Sequence, residues 1–434
     1  MKTRQSAFRL FDLPHELIAL ALTFAAQDDP DIPWILSETC KTLRDIVLSS
    51  PRRAFTEPCE SRARDTSTTP LWLARGGCTP VDLSVDLSDF PTRLNRVDSL
   101  REDIREHSSR LTTIRFSGWL GAELIAVALE AIAAGESPSR IDIHFAAWVF
   151  LRDEAIGDTL LELRNMLNTY ANVVRSVHLT GLIPPPGVAC AALESLTLPY
   201  GMLDMALVRV LPFCPRLKQL RGQVFAPPYG PLDPRSIFPV VMVTWEYPNW
   251  LFSGNIPIRP VVLPALEYLE VHVEPWTGLS YDELRTPALQ TLILEDCQQE
   301  ADLTQDTAYR FGLHLVEFIQ HTPLLHTLSL CDTQITEQAM YNVLRAVPAL
   351  TELRLGDMLV TGDALDTMSD DENLVPNLAS LEVYTCDYIA GSSLIRFARM
   401  RSASTIARTL KMIEVRNCKH VTKADMRRIS TFVA

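Results

Sequence analysis

The side chains with chemical potential in this chain are carboxylates, histidines and thiols, and their spacing points to structure before catalysis. Asp82 and Asp86 fall in Val81-Asp-Leu-Ser-Val-Asp-Leu87, an alternation that places both carboxylates on one face of a half-buried strand. A carboxylate pair does acid–base or metal work when a histidine or a third ligand joins it. None stands in this stretch, so a solvated strand face is the plainer reading. The nine histidines are scattered, and the nine cysteines contain no Cys-x-x-Cys pair. There is no phosphate-cradling glycine loop, no His-Glu-x-x-His and no Gly-x-Ser-x-Gly. The expectation is a protein that is not an enzyme, with no catalytic residue, no metal and no cofactor. An odd number of scattered thiols suits a reducing compartment, hence the cytoplasm or nucleus.

Three of the cysteines share a position. Cys297, Cys386 and Cys418 each stand three residues past the last apolar residue of a short alternating phrase, namely Leu294, Val383 and Val415. The phrase is Leu-x-x-Leu-x-Leu, and it opens at Leu193, Leu217, Leu266, Leu289, Leu325, Leu350, Leu378 and Leu410, the last in the variant Leu-Lys-Met-Ile-Glu-Val. The steps are 24, 49, 23, 36, 25, 28 and 32 residues. The step of 49 is about two periods, and Val241-Met-Val-Thr-Trp245 is placed midway as a degenerate strand. Between Leu325 and Leu350, residues Ala339, Met340, Val343, Leu344 and Val347 recur at helical spacing. One strand and one helix cannot bury their apolar faces alone and must stack on copies of themselves. Pro215, Pro264, Pro287, Pro323, Pro348 and Pro376, each two residues before a phrase, end the preceding segment and set an extended start.

This pattern resembles the leucine-rich repeats, and the phrases that end in Cys resemble their cysteine-containing subfamily. The resemblance implies an α/β solenoid with parallel strands on a concave face and helices outside. A small, buried, weakly hydrogen-bonding side chain suits the turn where the strand leaves that face. The strand positions alternating with the core leucines would face a target protein: Glu270, His272, Ile293, Glu295, Arg354, Glu382, Tyr384, Glu414 and Arg416. Regular repeats are expected over 191–434, and irregular ones over 61–190. The strands of the irregular region are predicted at 81–87, 111–116, 141–145 and 174–179, with helices over 123–134 and 155–170. Residues 223–264 form an insertion rich in proline and aromatics. It is read either as packing back over the repeats or as a binding edge.

Residues 1–60 are different. Asp12 can cap a helix whose first turn holds Pro14 and Glu16, and Leu17, Ile18, Leu20, Ala21, Leu22 and Phe24 leave it no polar stripe. A second helical pattern covers 34–48. Leu13-Pro-His-Glu-Leu-Ile18, followed by Thr39-Cys-Lys-Thr-Leu-Arg-Asp-Ile46, resembles an F-box, and the whole layout is similar to fungal F-box proteins with leucine-rich repeats. The resemblance implies docking on a Skp-type adaptor, and through it on a cullin, by Leu13, Pro14, Glu16, Leu17, Ile18, Leu20, Cys40 and Leu43. The chain would then be a substrate-recognition subunit of a ubiquitin ligase. Ala21, Thr39 and Leu43 depart from the larger residues of that family, so a second reading stands beside the first: the helices serve only as a cap on an interaction scaffold.

Composition agrees with a folded protein-binding chain. In 434 residues, 47% are hydrophobic and the net charge is −13, which argues against a general nucleic-acid binder. The apolar run 17–26 is preceded by Pro14, His15 and Glu16 and followed by Asp28, Asp29 and Asp31, unlike a secretory leader. No run reaches the ~18 apolar residues of a membrane span. The last 34 residues hold eight Lys or Arg against Glu414 and Asp425, read as a polar cap over the final repeat.

Overall fold

In the computed structural model the described residues are 14, 17–18, 81–86, 106, 111–119, 140–146, 164–165, 167–180, 190–198, 211–224, 261–273, 284–296, 305–333, 335–358, 362–407 and 410–433. The chain divides into two compact units, 1–178 and 179–434. In the first, β1 (Val81–Asp86), β2 (Leu111–Trp119), β3 (Arg140–Ala146) and β4 (Val174–Thr180) lie side by side in chain order. β1 pairs with β2, and β2 with β3, all parallel. These are the four strands expected before residue 190. Of the helix expected over 155–170, residues 164–165 and 167–169 are helical. The helices expected over 34–48 and 123–134 lie outside the described residues.

The second unit is a leucine-rich-repeat solenoid. Its strands are β5 (Ser195–Leu198), β6 (Gln219–Val224), β8 (Tyr268–Val273), β10 (Thr291–Asp296), β11 (Thr327–Cys331), β12 (Glu352–Gly356), β13 (Ser380–Tyr384) and β14 (Met412–Arg416). They are neighbours in that order, and each pair is parallel. Among the described residues, five helices return the chain between strands or follow the last one: α1 (Gln305–Ile319), α2 (Glu337–Ala346), α3 (Gly362–Asp370), α4 (Gly391–Ala403) and α5 (Lys423–Ile429). β7 (Val261–Val262) and β9 (Leu284–Arg285) form a separate short parallel pair.

The register is that of the phrase. Leu220, Leu269, Leu292, Leu328, Leu353, Leu381 and Ile413 form one row across the strands, with Leu355 and Val383 in the next, and all are buried. Each fully buried Leu or Val stabilises the coil by roughly 1.5–3 kcal/mol. The helices bury their facing stripe in turn, as with Ala339, Met340, Val343 and Leu344 of α2. Thr336 caps α2, its Oγ1 accepting from the Ala339 amide at 3.3 Å.

Backbone hydrogen bonds tie coil to coil in two places. Just before each strand, one carbonyl accepts two amides from the next coil, as Glu194 does from Lys218 (2.8 Å) and Gln219 (3.0 Å). Lys218, Glu267, Gln290, His326, Thr351 and Ala379 repeat the arrangement. Just after the strands, Asp332, Asp357, Thr385 and Asn417 adopt positive φ of 46°, 47°, 55° and 57°. The amides of the first three donate to Gly356, Tyr384 and Arg416 of the following coil at 2.7–2.9 Å. Asp and Asn tolerate that conformation better than most residues.

Two expectations are refined. The prolines do not merely stop a preceding segment. Each is the second residue of a turn in which the residue before it accepts the amide three positions on, as Val347 does from Leu350 at 3.0 Å. Proline's fixed φ suits that second position. The residues before the prolines, with Cys190 in front, make a buried row: Cys190, Cys214, Leu263, Thr286, Thr322, Val347 and Val375. Cys190 and Cys214 are hydrogen-bonded thiols in this row. The second refinement is a correction. β6 pairs directly with β8, Gln219 opposite Tyr268 through Val224 opposite Val273, so no further strand stands between them in this sheet. Residues 241–245 lie outside the described residues. No strand can be inserted from there, because β6 and β8 already satisfy each other.

Candidate protein-binding face

Alternation along each strand sends every second side chain away from the leucine core. On that open face, parallel register lines the outward residues into rows. The first row is Gln219, Tyr268, Thr291, Thr327, Glu352, Ser380 and Met412. The second is Arg221, Glu270, Ile293, Ser329, Arg354, Glu382 and Glu414. The third is His272, Glu295, Cys331, Gly356, Tyr384 and Arg416. All nine residues predicted to face a target lie in the second and third rows.

Two polar clusters stand on this face. Around Glu270, Arg221 Nε approaches Oε2 at 3.4 Å, the Tyr268 hydroxyl donates to the same carboxylate, and His272 Nε2 lies 3.2 Å from Oε1. His272 Nδ1 lies 3.1 Å from Glu295 Oε2, so the ring bridges two strands. Arg221 also stacks 4.9 Å over the Tyr268 ring. Burial, then the Glu270 carboxylate that accepts its proton, push Tyr268 up to about 12. In the second cluster Arg354 Nε donates to Glu352 Oε1 at 2.9 Å and lies 3.4 Å from Glu382 Oε2. Those bonds raise the already high Arg354 value and keep the guanidinium charged.

Between the clusters the face is flat and weakly polar: Ile293, Ser329, Cys331 and Gly356, crossed by Tyr384. Cys331 Sγ lies 3.3 Å from Ser329 Oγ and also meets the Tyr384 hydroxyl. Burial pushes the Cys331 thiol up, which makes it a poor nucleophile. The sequence reasoning overlooked Arg221, Tyr268, Ser329, Cys331 and Glu352. The same alternation identifies Ser329 and Cys331 in the Leu325 phrase and Arg221 in the shorter Leu217 phrase, and one step earlier in their phrases it identifies Tyr268 and Glu352.

The cysteines after the strands behave as the turn requires. Cys386 Sγ donates to the Leu355 carbonyl at 3.6 Å, and Thr333 Oγ1, in the equivalent place, donates to the Leu294 carbonyl at 3.4 Å. Burial raises Cys386 to about 11. Cys297 lies outside the described residues. Among the described residues, no group of three or more His, Cys, Asp or Glu is arranged to hold a metal ion, and no helix is long and apolar enough to cross a membrane. The side chains of Asp82 and Asp86 lie outside the described residues.

Of the predicted adaptor-binding residues, Pro14, Leu17 and Ile18 are described. The Pro14 carbonyl accepts from the Leu17 amide at 3.0 Å and the Ile18 amide at 3.2 Å, which forms the helical turn the Pro and Glu predict. Leu17 is 48% exposed, and Ile18 beside it is 1% exposed. Leu13, Glu16, Leu20, Cys40 and Leu43 lie outside the described residues.

No protein-family model matches the chain, and no curated protein matches it in sequence. Solved structures similar to it include the yeast Rad7–Elc1 complex, at 15% identity over 89% of this chain and 95% of that one, with a TM-score of 0.37. The leucine-rich-repeat protein LegL7 of Legionella pneumophila is 10% identical over 85% of this chain and 94% of its own, with a TM-score of 0.33. The TLR13–ssRNA13 complex is 11% identical over 73% of this chain and 43% of that one, with a TM-score of 0.33.

Proposed function

We propose that this chain is the substrate-recognition subunit of a Skp/cullin/F-box ubiquitin ligase. The N-terminal helices hold a Skp-type adaptor, and the open face of the strands binds the target protein. The chain itself performs no chemistry and needs no cofactor. The observation that carries the first half is the turn at Pro14–Ile18, where a Leu-Pro-x-Glu-Leu phrase starts a helix with Leu17 turned outward. An apolar side chain presented at a helix start is the kind of anchor a partner protein buries. The second half is supported by the rows of partly exposed charged and aromatic side chains held on a rigid parallel sheet. Cys190, Cys214, Cys331, Cys386 and Cys418 are thiols outside any disulfide, in keeping with work in the cytoplasm or nucleus.

The second reading, an interaction scaffold with no ubiquitin link, is favoured by Ala21, Thr39 and Leu43, where the F-box family has larger side chains. A pull-down with a Skp-type adaptor separates the two. The whole chain is compared with a variant carrying Leu13→Asp, Pro14→Ser and Leu17→Asp, with circular dichroism to confirm that the variant is folded. Adaptor retained by the wild type and lost by the variant supports the receptor reading. Failure of the wild type to bind favours the scaffold.

A further inference from the structure

The C-terminal coil carries a charge opposite to that of the rest of the chain. Between residues 396 and 434 there are ten Lys or Arg and two acidic side chains, in a protein whose net charge is −13. Several of these cations are engaged. Arg396 pairs with Asp366 at 3.4 Å and Asp370 at 2.6 Å, Arg416 pairs with Glu414 at 2.6 Å, and Lys419 pairs with Asp387. Arg401 is buried and donates to the Val375 carbonyl at 2.6 Å. Arg399, Lys411, Lys423, Arg427 and Arg428 are exposed and make no salt bridge among the described residues. Lys411 stands directly before β14, and the last three lie on α5, the helix of the same coil.

Among the described residues, the edge of β14 away from β13 pairs with no other strand. From β5 to β13 each coil offers the next one a pre-strand carbonyl and, in β11 to β13, a post-strand amide on a residue of positive φ. The equivalents on β14 are the Lys411 carbonyl and the Asn417 amide, and neither has a partner among the described residues. The core thins here as well. Ile413 is 9% exposed where Leu381 is 0%, and Met412 is 40% exposed. A row of unpaired backbone groups, beside apolar side chains and unpaired cations, has the chemistry to accept another strand.

We infer that the β14 edge and the α5 cations form a docking site for an acidic, extended polypeptide segment of a partner protein, added as a further parallel or antiparallel strand. Backbone groups of the segment pair with the Lys411 carbonyl and the Asn417 amide. Its carboxylates meet Lys411, Lys423, Arg427 and Arg428, and its apolar residues cover Met412 and Ile413. A nucleic acid fits less well, because it cannot pair with a strand edge and the strongly negative remainder of the chain repels a polyanion. The site adjoins the open face at Met412 and does not rest on the ligase reading.

The test uses the full chain and a fluorescent peptide of alternating Glu and Val, with fluorescence anisotropy as the readout. Three controls accompany it: a Gln/Val peptide, the Glu/Val peptide with N-methylated backbone amides, and a single-stranded oligonucleotide. The inference expects binding by the acidic peptide that weakens with added salt. It expects a tenfold or greater loss for the Gln/Val and N-methylated peptides. The same loss is expected in a Lys423→Glu, Arg427→Glu, Arg428→Glu variant whose thermal melt matches the wild type. Equal binding by the charge-reversed variant, no binding by the acidic peptide, or preference for the oligonucleotide would each overturn it.

Discussion

Tyr384 lies across the bare backbone of Gly356 and sets its hydroxyl against Cys331, two strands away. A Cβ at Gly356 would overlap the phenol ring. The glycine is therefore required by close approach and not by its backbone angles. The result is a flat, weakly polar strip between two charged clusters, in the middle of the face where a target would sit.

That relationship predicts coupling. Gly356→Ala should destabilise the protein by about 1–3 kcal/mol, because the ring must leave its place. In a Tyr384→Ala background the same change should cost little. Urea denaturation of the four proteins measures the coupling. Equal losses in both backgrounds would mean that the ring does not occupy the glycine's space.

The buried row before the prolines predicts two opposite effects from one substitution. Thr286 Oγ1 is buried without a hydrogen-bond partner, while Thr322 Oγ1 donates to the Ile319 carbonyl at 2.8 Å. Valine already occupies this row at Val347 and Val375. Thr286→Val should stabilise by roughly 1 kcal/mol, and Thr322→Val should destabilise by a similar amount. Thermal melts compare them directly, and a loss at both positions would show that the Thr286 hydroxyl is satisfied after all.

Asp332 predicts a pH effect. Burial, and then the neighbouring Asp357 charge, hold its carboxyl above the ordinary range. A carboxyl raised by folding favours the folded state when protonated. Its ionised form opposes folding at neutral pH, and that opposition fades as pH falls through the folded value. Asn is compatible with the φ of 46° found here. Asp332→Asn should thus raise the melting temperature at pH 7 and give no gain below the carboxylate range. A gain of equal size at pH 7 and at low pH would show that charge is not its cause.

Neighbouring strand positions should differ sharply in stability. Leu353 is wholly buried, and Leu353→Ala should cost about 2–5 kcal/mol. Arg354, adjacent in sequence and on the open face, should cost only ~0–1 kcal/mol when changed to Ala, since exposed ion pairs contribute little. Denaturation midpoints check both values, and a fully stable Leu353→Ala protein would contradict the repeat assignment.

Much of this architecture was legible because the repeat states it eight times. Alternation around Leu353 or Leu381 fixes which residues are inside, and parallel register then places Arg354 beside Glu382 without further information. What was hidden depends on contacts between coils. The direct pairing of β6 with β8 across residues 225–260 follows from backbone hydrogen bonds that no residue type encodes. The role of Gly356 depends on a ring 28 residues later in the chain. The positive-φ residues after the strands include Thr385 as well as Asp and Asn, so no single residue type marks the position.

The central claim is that one chain holds an adaptor with its N-terminal helices and a target with its open face. The most direct measurement is affinity purification from cells, with mass spectrometry, of three proteins: the wild type, Leu17→Asp, and the double variant Arg354→Glu, Glu382→Lys. The account predicts that the wild type brings down a Skp-type adaptor, a cullin and a further protein. Leu17→Asp should lose the first two and keep the third, and the double variant should do the reverse. Loss of all partners together in both folded variants, or absence of adaptor and cullin from the wild type, would contradict it.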